Sequence, residues 1–497
     1  MNTVAELSPQ QMQSKNINII NKLRSILPAG SLLFEREDMT PYECDGLSAY
    51  RKRPLAVALP TMEEQVVNIL RTCYEHKVPV VARGSGTGLS GGALPHEQGV
   101  LLSLARFNKI LNIDPLSRTA IVQPGVRNLA ISEAVAHLGL YYAPDPSSQI
   151  ACSIGGNVAE NSGGVHCLKY GLTVHNVLRI RVVTIEGEVM EIGSGALDSA
   201  GYDILALMTG SEGMLGVVTE VTVKLIPKPQ RAQCVLAAFD DVVKAGDAVG
   251  NIIAAGIIPA GLEMLDKLAT GAVEPFVKAG YPLDAEAILL CESDGTDEEV
   301  ADEIGRMQQI MLDSGATEVR VSQNEAERVR FWAGRKAAFP AAGRISPDYY
   351  CMDGSIPRKA LSQVLKAIAE MSKKYGLRCM NVFHAGDGNL HPLILYDANI
   401  PGQLEKTVAF GVEILELSIK VGGTITGEHG VGIEKINQMC SQFAPRELAM
   451  FHAVKHAFDE HALLNPGKAV PTLHRCAEMG AMHVSKGQVT HPDLPRF

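Results

Sequence analysis

Two groups of residues have types and spacings that could do chemistry, and the first is HAGDGNLH at 384–391. It contains His384 and His391, and the later segment GEHG adds Glu428 and His429. The glycines between the two histidines disfavour a helix, and the Asp-Gly pair is typical of a hairpin turn. Residues that flank such a turn lie opposite each other, with Cβ atoms about 5 Å apart. Two imidazoles in that arrangement could share one divalent cation.

A third ligand has to come from elsewhere in the chain, and Glu428 is the candidate carboxylate. Two nitrogen ligands and one oxygen ligand suit Zn²⁺, Mn²⁺ or Fe²⁺ and leave coordination positions open for a substrate. We assign Asp387 and Asn389 to shaping the turn. From spacing alone, two histidines that only form hydrogen bonds within a polar turn are an equal alternative.

The second group is the glycine-dense loop RGSGTGLSGG at 83–92. A G-x-G-x-x-G pattern begins at Gly86, but the residues that follow predict a turn and a strand, whereas the dinucleotide fingerprint requires a helix there. Backbone N–H groups of such a loop can still surround an anion such as a pyrophosphate. A flexible glycine linker is the alternative. The side chains that could add hydrogen-bond donors are Arg83, Ser85, Thr87 and Ser90.

The elements that have to position these groups follow from hydrophobic periodicity. Strands are predicted at 55–58, 78–81, 99–104, 119–123, 177–185 and 216–226. Helices are predicted at 11–27, 240–255, 297–314, 324–339 and 404–420. Thr61 and Glu64 predict a capping box at the start of a further helix, and Pro227 and Pro229 predict a domain boundary.

Bulk properties exclude several classes of protein. The chain has 497 residues, a formal net charge of −10 and no run of Lys or Arg, so we expect no nucleic-acid partner. Its ten cysteines include no C-x-x-C pair, which argues against an iron–sulfur cluster or a zinc ribbon in this chain. Without a signal peptide pattern or a long apolar stretch, we expect a cytoplasmic location, with membrane contact only through partners at the inner face of the cytoplasmic membrane.

Longer motifs resemble a known family. The segments PVVARGSGTGLSGG, VQPGV, SIGGNVAENSGG and TGSEGMLGVVTEVTVKL resemble the flavin domain of the vanillyl-alcohol oxidase / p-cresol methylhydroxylase superfamily. HAGDGNLH and GEHG resemble its metal-containing 2-hydroxy-acid branch, which includes D-lactate and D-2-hydroxyglutarate dehydrogenases and the flavin subunits of bacterial glycolate oxidases. The resemblance covers about 40–497 of the chain.

This resemblance implies an α+β fold. We expect an FAD-binding domain of the p-cresol methylhydroxylase type with two α/β subdomains, an α/β cap domain with an antiparallel sheet, and a helical C-terminal segment. The expected bounds are 1–50 for an N-terminal helical segment, 51–229 for the FAD domain, 230–443 for the cap domain with the metal site, and 444–497 for a C-terminal segment that returns to the FAD domain.

The resemblance also implies bound FAD with its pyrophosphate on the glycine loop. That loop contains no histidine, so we expect FAD to be held without a covalent bond, and His166 is a second possibility for attachment. The residues that the resemblance assigns to FAD are Arg83, Gly84, Ser85, Gly86, Thr87, Gly88, Leu89, Ser90, Pro124, Gly125, Pro144, Asp145, Ser147, Gly155, Gly156, Asn157, Gly163, Gly164, Glu212, Gly216, Val217 and Asn465.

The same branch implies roles in catalysis. The metal would lie on His384, His391 and Glu428. Arg335 would hold the substrate carboxylate through paired hydrogen bonds, although other cations lie close by in sequence and a solvated helix face is the alternative. His429 would act as general base, with orientation of Glu428 as its alternative role.

The implied reaction is the oxidation of a small 2-hydroxy acid, with glycolate to glyoxylate expected and a stand-alone D-lactate dehydrogenase as the alternative. Phe339 and Cys351 stand where relatives that bind a second carboxylate have polar groups, which favours a monocarboxylate. The resemblance further implies an iron–sulfur subunit and a second flavin subunit as partners. A flavin-free metal hydrolase and a non-catalytic flavin-binding scaffold are the competing hypotheses.

Overall fold

The structure is a computed structural model that describes residues 9–196, 200–472, 484–485 and 488–489. The chain contains both helices and mainly antiparallel sheets, so the predicted α+β class is confirmed. Among the described helices, none combines the length and the apolar composition that crossing a bilayer requires.

The first part of the chain contains two large sheets and one two-stranded sheet. Its helices are α1 (Pro9–Ile26), α2 (Arg36–Met39), α3 (Glu63–Glu75), α4 (Asn128–Val135), α5 (Ile154–Glu160), α6 (Cys167–Tyr170) and α7 (Ile204–Met208). Its strands are β1 (Leu32–Leu33), β2 (Ala56–Ala58), β3 (Val80–Arg83), β4 (Val100–Ser103), β5 (Ile110–Asp114), β6 (Thr119–Val122), β7 (Leu140–Tyr141), β8 (Val177–Val183), β9 (Val189–Gly193), β10 (Val217–Lys224) and β11 (Ile226–Pro227). One sheet has the order β1-β2-β4-β3 and the other the order β5-β6-β10-β8-β9.

Local patterns explain most of these elements. The period-two pattern of β10 is confirmed, because Val217, Thr219 and Val221 are buried while the residues between them are less so. The predicted capping box is wrong. Helix α3 starts at Glu63 without a side-chain cap, and Gln65 accepts a hydrogen bond from the Thr61 backbone at 2.8 Å. The helix therefore begins one residue later than a Thr61 cap requires, and Gln65 contacts Thr61 in place of Glu64.

The second part is built on one large sheet. Its helices are α8 (Val242–Ala254), α9 (Lys267–Val277), α10 (Asp297–Asp313), α11 (Glu325–Lys336), α12 (Ala338–Ile345), α13 (Leu361–Tyr375), α14 (Gln403–Lys420), α15 (Met439–Gln442) and α16 (Pro445–Phe458). Its strands are β12 (Arg231–Phe239), β13 (Gly261–Asp266), β14 (Ala287–Gly295), β15 (Glu318–Val321), β16 (Asp348–Cys351), β17 (Cys379–Phe383) and β18 (Pro392–Tyr396). The short strands β19 (Val484–Ser485) and β20 (Gln488–Val489) pair with each other.

The large sheet is antiparallel, with the order β15-β12-β14-β13-β17-β18-β16. Both of its faces are covered. Along β12, Val235 and Ala237 belong to one apolar core and Leu236 to the core on the opposite face, as the alternation of a strand requires. This sheet positions three residues of the candidate site. Strand β13 carries Glu263, and the β17–β18 hairpin carries His384 and His391.

The predicted helix at 324–339 is two helices in the structure. Helix α11 ends at Lys336, Ala337 has non-helical backbone angles, and α12 begins at Ala338. Pro340 explains the break, since a proline ring clashes with the carbonyl four residues before it and lacks an N–H to donate.

The chain returns to the first sheet after α16. Leu464 forms a parallel bridge with Val80 of β3, and the Asn465 backbone N–H donates to the Val80 carbonyl at 2.7 Å. Most of the predicted C-terminal segment beyond Thr472 lies outside the described residues.

Candidate active site

A cavity of about 450 Å³ joins the glycine loop to the large sheet. Its size lies within the range of about 300–1,000 Å³ that small-molecule and cofactor sites have. One end is lined by the loop 83–89, and the other end by His391, Glu428 and His429. The two groups that the sequence singled out therefore face one common space.

Most residues assigned to FAD line this cavity. They are Arg83, Gly84, Ser85, Gly86, Thr87, Gly88, Leu89, Pro124, Ser147, Gly155, Gly156, Asn157, Glu212, Gly216 and Val217.

A smaller set is not among the residues that line it, and its assignment to FAD stays a prediction. This set is Ser90, Gly125, Pro144, Asp145, Gly163, Gly164 and Asn465. Of these, Asn465 holds two residues of the lining in place. The Asn465 side-chain amide donates to the carbonyls of Gly92 at 2.9 Å and Glu212 at 2.6 Å.

The glycine loop is packed, and a flexible linker is not what the structure shows. Gly86 has a φ of +71°, a conformation that favours glycine. A Cβ atom on Gly84 would overlap the Ser153 hydroxyl, whereas one on Gly88 would meet no protein atom within 4 Å. The Arg83 guanidinium donates to the Cys44 carbonyl at 2.7 Å. The loop thus has its backbone fixed by the protein and open space in front of Gly88, which fits a bound diphosphate.

The second glycine segment packs against the glycine loop, because a Cβ atom on Gly84 would lie 3.6 Å from Gly156 N. Gly155 and Gly156 lie in the first turn of α5, a helix that the sequence pattern did not predict. A Cβ atom on Gly155 would come within 2.5 Å of Pro124 Cβ. His166 is an unsuitable attachment point, because Asp145 and Glu292 hold its ring nitrogens at 2.7 and 3.6 Å and it does not line the cavity.

The three proposed metal ligands come together. His391 Nε2 and His384 Nε2 lie 2.9 and 3.4 Å from Glu428 Oε1, and the candidate ligand atoms all lie within 4.8 Å of one another. All three residues are buried, yet His384 Nε2 and Glu428 Oε2 have no hydrogen-bond partner. Buried polar atoms without partners are rare and require an explanation. This donor set fits a divalent cation.

The hairpin prediction is confirmed in type but wrong in register. His384 pairs with Asn389 across the turn. His391 lies two residues after Asn389, just before β18, and is opposite Val382. The turn has four residues, 385–388, whereas the pattern placed all six residues between the two histidines in the turn. A shift of two residues keeps the side chain on the same face of the hairpin, so the two imidazole centroids are still only 4.9 Å apart.

Glu263 was missed by the sequence reasoning. It lies on β13 and is completely buried. Its Oε1 lies 2.6 Å from His384 Nδ1, and its Oε2 accepts from Arg335 Nε at 2.5 Å. Burial raises the pKa of Glu263, but Arg335 and His384 outweigh burial and hold it below its ordinary value. An acid in the middle of the largely apolar strand GLEMLD was the signal in the sequence.

Arg335 is 1% exposed, so the alternative of a solvated helix face is wrong. It does not line the cavity, although the next residue, Lys336, does. Its Nη2 is buried without a partner. A donor of this kind is available to a carboxylate that approaches from the direction of the cation site.

Asp353 was also missed, and it fixes the backbone of GEHG. Its carboxylate accepts from the backbone N–H groups of Glu428 at 3.1 Å and His429 at 2.8 Å. It also accepts from Lys435 Nζ at 3.0 Å. Burial raises the Asp353 pKa, but the Lys435 ammonium outweighs it and holds the pKa far below its ordinary value. The segment that carries Glu428 is therefore anchored on a buried ion pair.

His429 lines the cavity and stacks on His391, with ring centroids 5.0 Å apart. Burial lowers the pKa of His429 to about 4, so its imidazole is neutral near pH 7 and can accept a proton. Its Nε2 lies 3.8 Å from Glu428 Oε1. That distance exceeds a hydrogen bond, which weakens the alternative that His429 only orients Glu428.

The two residues proposed to limit substrate size differ in position. Phe339 lines the cavity and packs edge-on against His391, with centroids 6.3 Å apart, and against Tyr349, with centroids 6.0 Å apart. Cys351 is buried and does not line the cavity. Only Phe339 is therefore placed to contact a substrate.

Comparison with known proteins agrees with this geometry. The family model described as "FAD linked oxidases, C-terminal domain" matches residues 228–469, and the model described as "FAD binding domain" matches residues 54–193. Glycolate oxidase subunit GlcD of Escherichia coli (strain K12) is 65% identical to this chain, over 97% of this chain and 96% of its own length. D-lactate dehydrogenase of Anaerostipes hadrus is 32% identical, over 93% of this chain and 99% of its own length.

The fold also has solved counterparts. The crystal structure of p-cresol methylhydroxylase with substrate bound superposes with a TM-score of 0.77, covering 93% of this chain and 98% of that one, at 20% sequence identity. At that identity the likeness concerns the fold alone. It confirms the predicted fold class.

Proposed function

Because this chain belongs to the FAD-linked oxidases, we propose that it oxidises glycolate to glyoxylate, using bound FAD and one divalent cation. The observation that carries the proposal is the single cavity that joins a diphosphate-sized glycine loop to His391, Glu428 and His429. The 65% identity to a protein named glycolate oxidase subunit supports glycolate as the substrate.

The glycine loop and α5 would hold the cofactor. The backbone of 83–89 would bind the diphosphate together with the first turn of α5, where Gly155 and Gly156 line the same cavity. FAD, when bound, supplies the acceptor for the hydride that leaves the substrate. The loop contains no histidine, which supports binding without a covalent bond.

The substrate end of the cavity would work through five side chains. His384, His391 and Glu428 would hold a Zn²⁺, Mn²⁺ or Fe²⁺ ion, which supplies Lewis acidity towards the substrate hydroxyl. A hydroxyl held beside Glu428 lies within reach of His429 Nε2, the atom that would take its proton. Arg335 would bind the substrate carboxylate through its free Nη2.

Electrons would leave through partner subunits. We propose a separate iron–sulfur subunit and a second flavin subunit, with any membrane contact made through them. The name of the relative as a subunit supports a complex. The absence of a C-x-x-C pair in this sequence supports an external relay.

The test is anaerobic reduction of the bound flavin by a panel of 2-hydroxy acids. Glycolate should bleach the flavin absorbance of untreated protein, a chelator should abolish bleaching, and Zn²⁺, Mn²⁺ or Fe²⁺ should restore it. His384→Ala should behave like the chelated protein, whereas His137→Ala, at an exposed position outside the cavity, should bleach normally. A flavin that no 2-hydroxy acid reduces contradicts the proposal and favours a scaffold. A colourless protein that takes up no FAD favours a metal hydrolase.

A second candidate is a stand-alone D-lactate dehydrogenase. The relative of that name covers nearly the whole chain, and Phe339 gives the cavity an apolar wall that a methyl group can contact. Steady-state rates of the single purified chain with a dye acceptor separate the two. A higher kcat/KM for D-lactate than for glycolate favours this second function.

A further inference from the structure

One buried carboxylate connects the two ends of the proposed substrate site. Glu263 Oε1 lies 2.6 Å from His384 Nδ1 and Glu263 Oε2 accepts from Arg335 Nε at 2.5 Å. The side chains of Glu263 and Arg335 are 1% exposed and that of His384 is 3% exposed. Water is therefore excluded from the chain of contacts that runs from the proposed cation ligand to the arginine.

The contact with Glu263 determines what His384 can do. A neutral imidazole that donates its Nδ1–H to a carboxylate keeps its lone pair on Nε2. In this structure Nε2 is the atom that faces Glu428, at 3.4 Å, and that lacks a partner. The other oxygen of Glu263 holds the Arg335 guanidinium by Nε, which leaves Nη2 free.

A second buried ion pair, between Glu292 and Arg328, provides a comparison for Glu263 and Arg335. Glu292 lies on the adjacent strand β14 and is likewise buried. It pairs with Arg328, one of the other arginines of α11, at 2.8 Å. This pair also links the sheet to helix α11, but it touches none of the proposed cation ligands. The contact with His384 is therefore what distinguishes Glu263 from a structural ion pair.

We propose that Glu263 is a positioning residue that couples the cation site to the carboxylate-binding arginine, an inference that rests on the proposed function. If His384 rotates so that its Nδ1 leaves Glu263 Oε1, that oxygen loses its partner. The Glu263 carboxylate, which orients Arg335, is then held less firmly. Occupation of the cation site thus favours the arginine orientation that receives substrate. Coupling of two binding sites is reciprocal, so disturbance at Arg335 also weakens the cation site.

The test measures zinc affinity directly, with FAD-loaded protein that has been stripped by a chelator and titrated with Zn²⁺ against a chromophoric competitor. Glu263→Gln keeps the shape of the side chain but not its charge. We expect it to weaken zinc binding by about 10–100-fold, the usual effect of losing a partner of a metal-bound histidine. Glu292→Gln is the matched control, and its zinc affinity should equal that of the unmodified protein.

A second variant tests the coupling itself. Arg335 contacts no proposed ligand of the cation, yet Arg335→Gln should weaken zinc binding, by about 3–10-fold, because it releases Glu263. Both variants should also raise the KM for glycolate at saturating zinc. Arg335→Gln replaces Glu263→Gln as the deciding variant if the latter does not fold.

The outcomes separate the inference from the function on which it rests. Unchanged zinc affinity in Glu263→Gln, or in Arg335→Gln when that variant decides, overturns the coupling while leaving the proposed function in place. An equal loss in Glu292→Gln also overturns it, since a general loss of packing then explains the effect. The proposed cation site is rejected if the unmodified protein binds no zinc, or if it binds zinc that His384→Ala does not remove. The coupling is then rejected with it.

Discussion

Lys435→Met tests the ion pair that anchors the GEHG segment. Lys435 and Asp353 are both 0% exposed, and the ammonium also donates to the Gly430 carbonyl at 2.8 Å. Methionine fills a similar volume but leaves the Asp353 carboxylate buried without its cation. Breaking a buried pair from one side costs about 3–5 kcal/mol. Urea unfolding followed by the fluorescence of Trp332, the single tryptophan, measures this cost.

At a denaturant slope of about 3 kcal/mol per M, the urea midpoint should fall by about 1–1.7 M. Lys374→Met is the control, because its pair with Glu413 at 2.6 Å is exposed and should contribute at most about 1 kcal/mol. The variant Asp353→Asn/Lys435→Met should be more stable than Lys435→Met, since it no longer buries an unpaired charge. A double variant no more stable than the single one refutes the reasoning.

The same pair predicts a pH dependence. The pKa of Asp353 is lowered in the folded protein, so its stabilisation exists above the unfolded pKa of about 3.9 and is lost as pH falls through the folded pKa. The pKa of Lys435 is raised, because Asp353 outweighs the effect of burial, so its stabilisation is complete below about pH 10.4 and is lost as pH rises through the folded pKa. The stability difference between unmodified protein and Lys435→Met should therefore be full at pH 7 and shrink in strong acid.

Three further changes test other parts of the site. Gly88→Ala should leave the thermal stability of the apoprotein unchanged, because a Cβ atom at this position meets open space. It should weaken FAD binding by about 1–3 kcal/mol, the cost of overpacking. A flavin titration that shows unchanged affinity contradicts the binding of a diphosphate at this loop. Gly163→Ala should place Cβ 2.7 Å from Glu428 Oε2 and weaken zinc binding by about tenfold without loss of FAD, whereas Gly250→Ala, with open space, should change neither. His166→Gln should reduce thermal stability most near pH 6 and less towards pH 10. Burial lowers the pKa of His166, but its two carboxylate partners raise that pKa well above its ordinary value, so the stabilisation by His166 is lost as pH rises through the folded pKa. A stability difference that does not change with pH contradicts this account.

Sequence predicted the parts of this site that depend on neighbouring residues. The hairpin, the packed glycine loop and several helices have local signals and were predicted, whereas α5 was not. The register error at His384 has a local cause as well, because the pattern placed the turn between His384 and His391, whereas the chain closes it between His384 and Asn389. The position of Pro340 explains why one predicted helix is two.

The missed residues depend on distant partners. Glu263 lies 121 positions from His384, and Asp353 lies 75 positions from Glu428. No periodicity connects residues so far apart, and the residues directly beside each acid give no sign of its partner. The burial of Arg335 could not be read from its sequence surroundings either, since three other cations lie within seven positions and only the packing of α11 against β13 shows which one faces inward.

The bridge between Leu464 and Val80 has a consequence for synthesis of the chain. The loop that follows β3 is made early, but the amide that holds its Gly92 carbonyl belongs to Asn465, 373 positions later. At about 5–20 residues per second, a ribosome needs about 20–75 s to cover that interval. During this time the nascent loop lacks the Asn465 hydrogen bond, so the loop acquires its final set of contacts only after residue 465 has been synthesised.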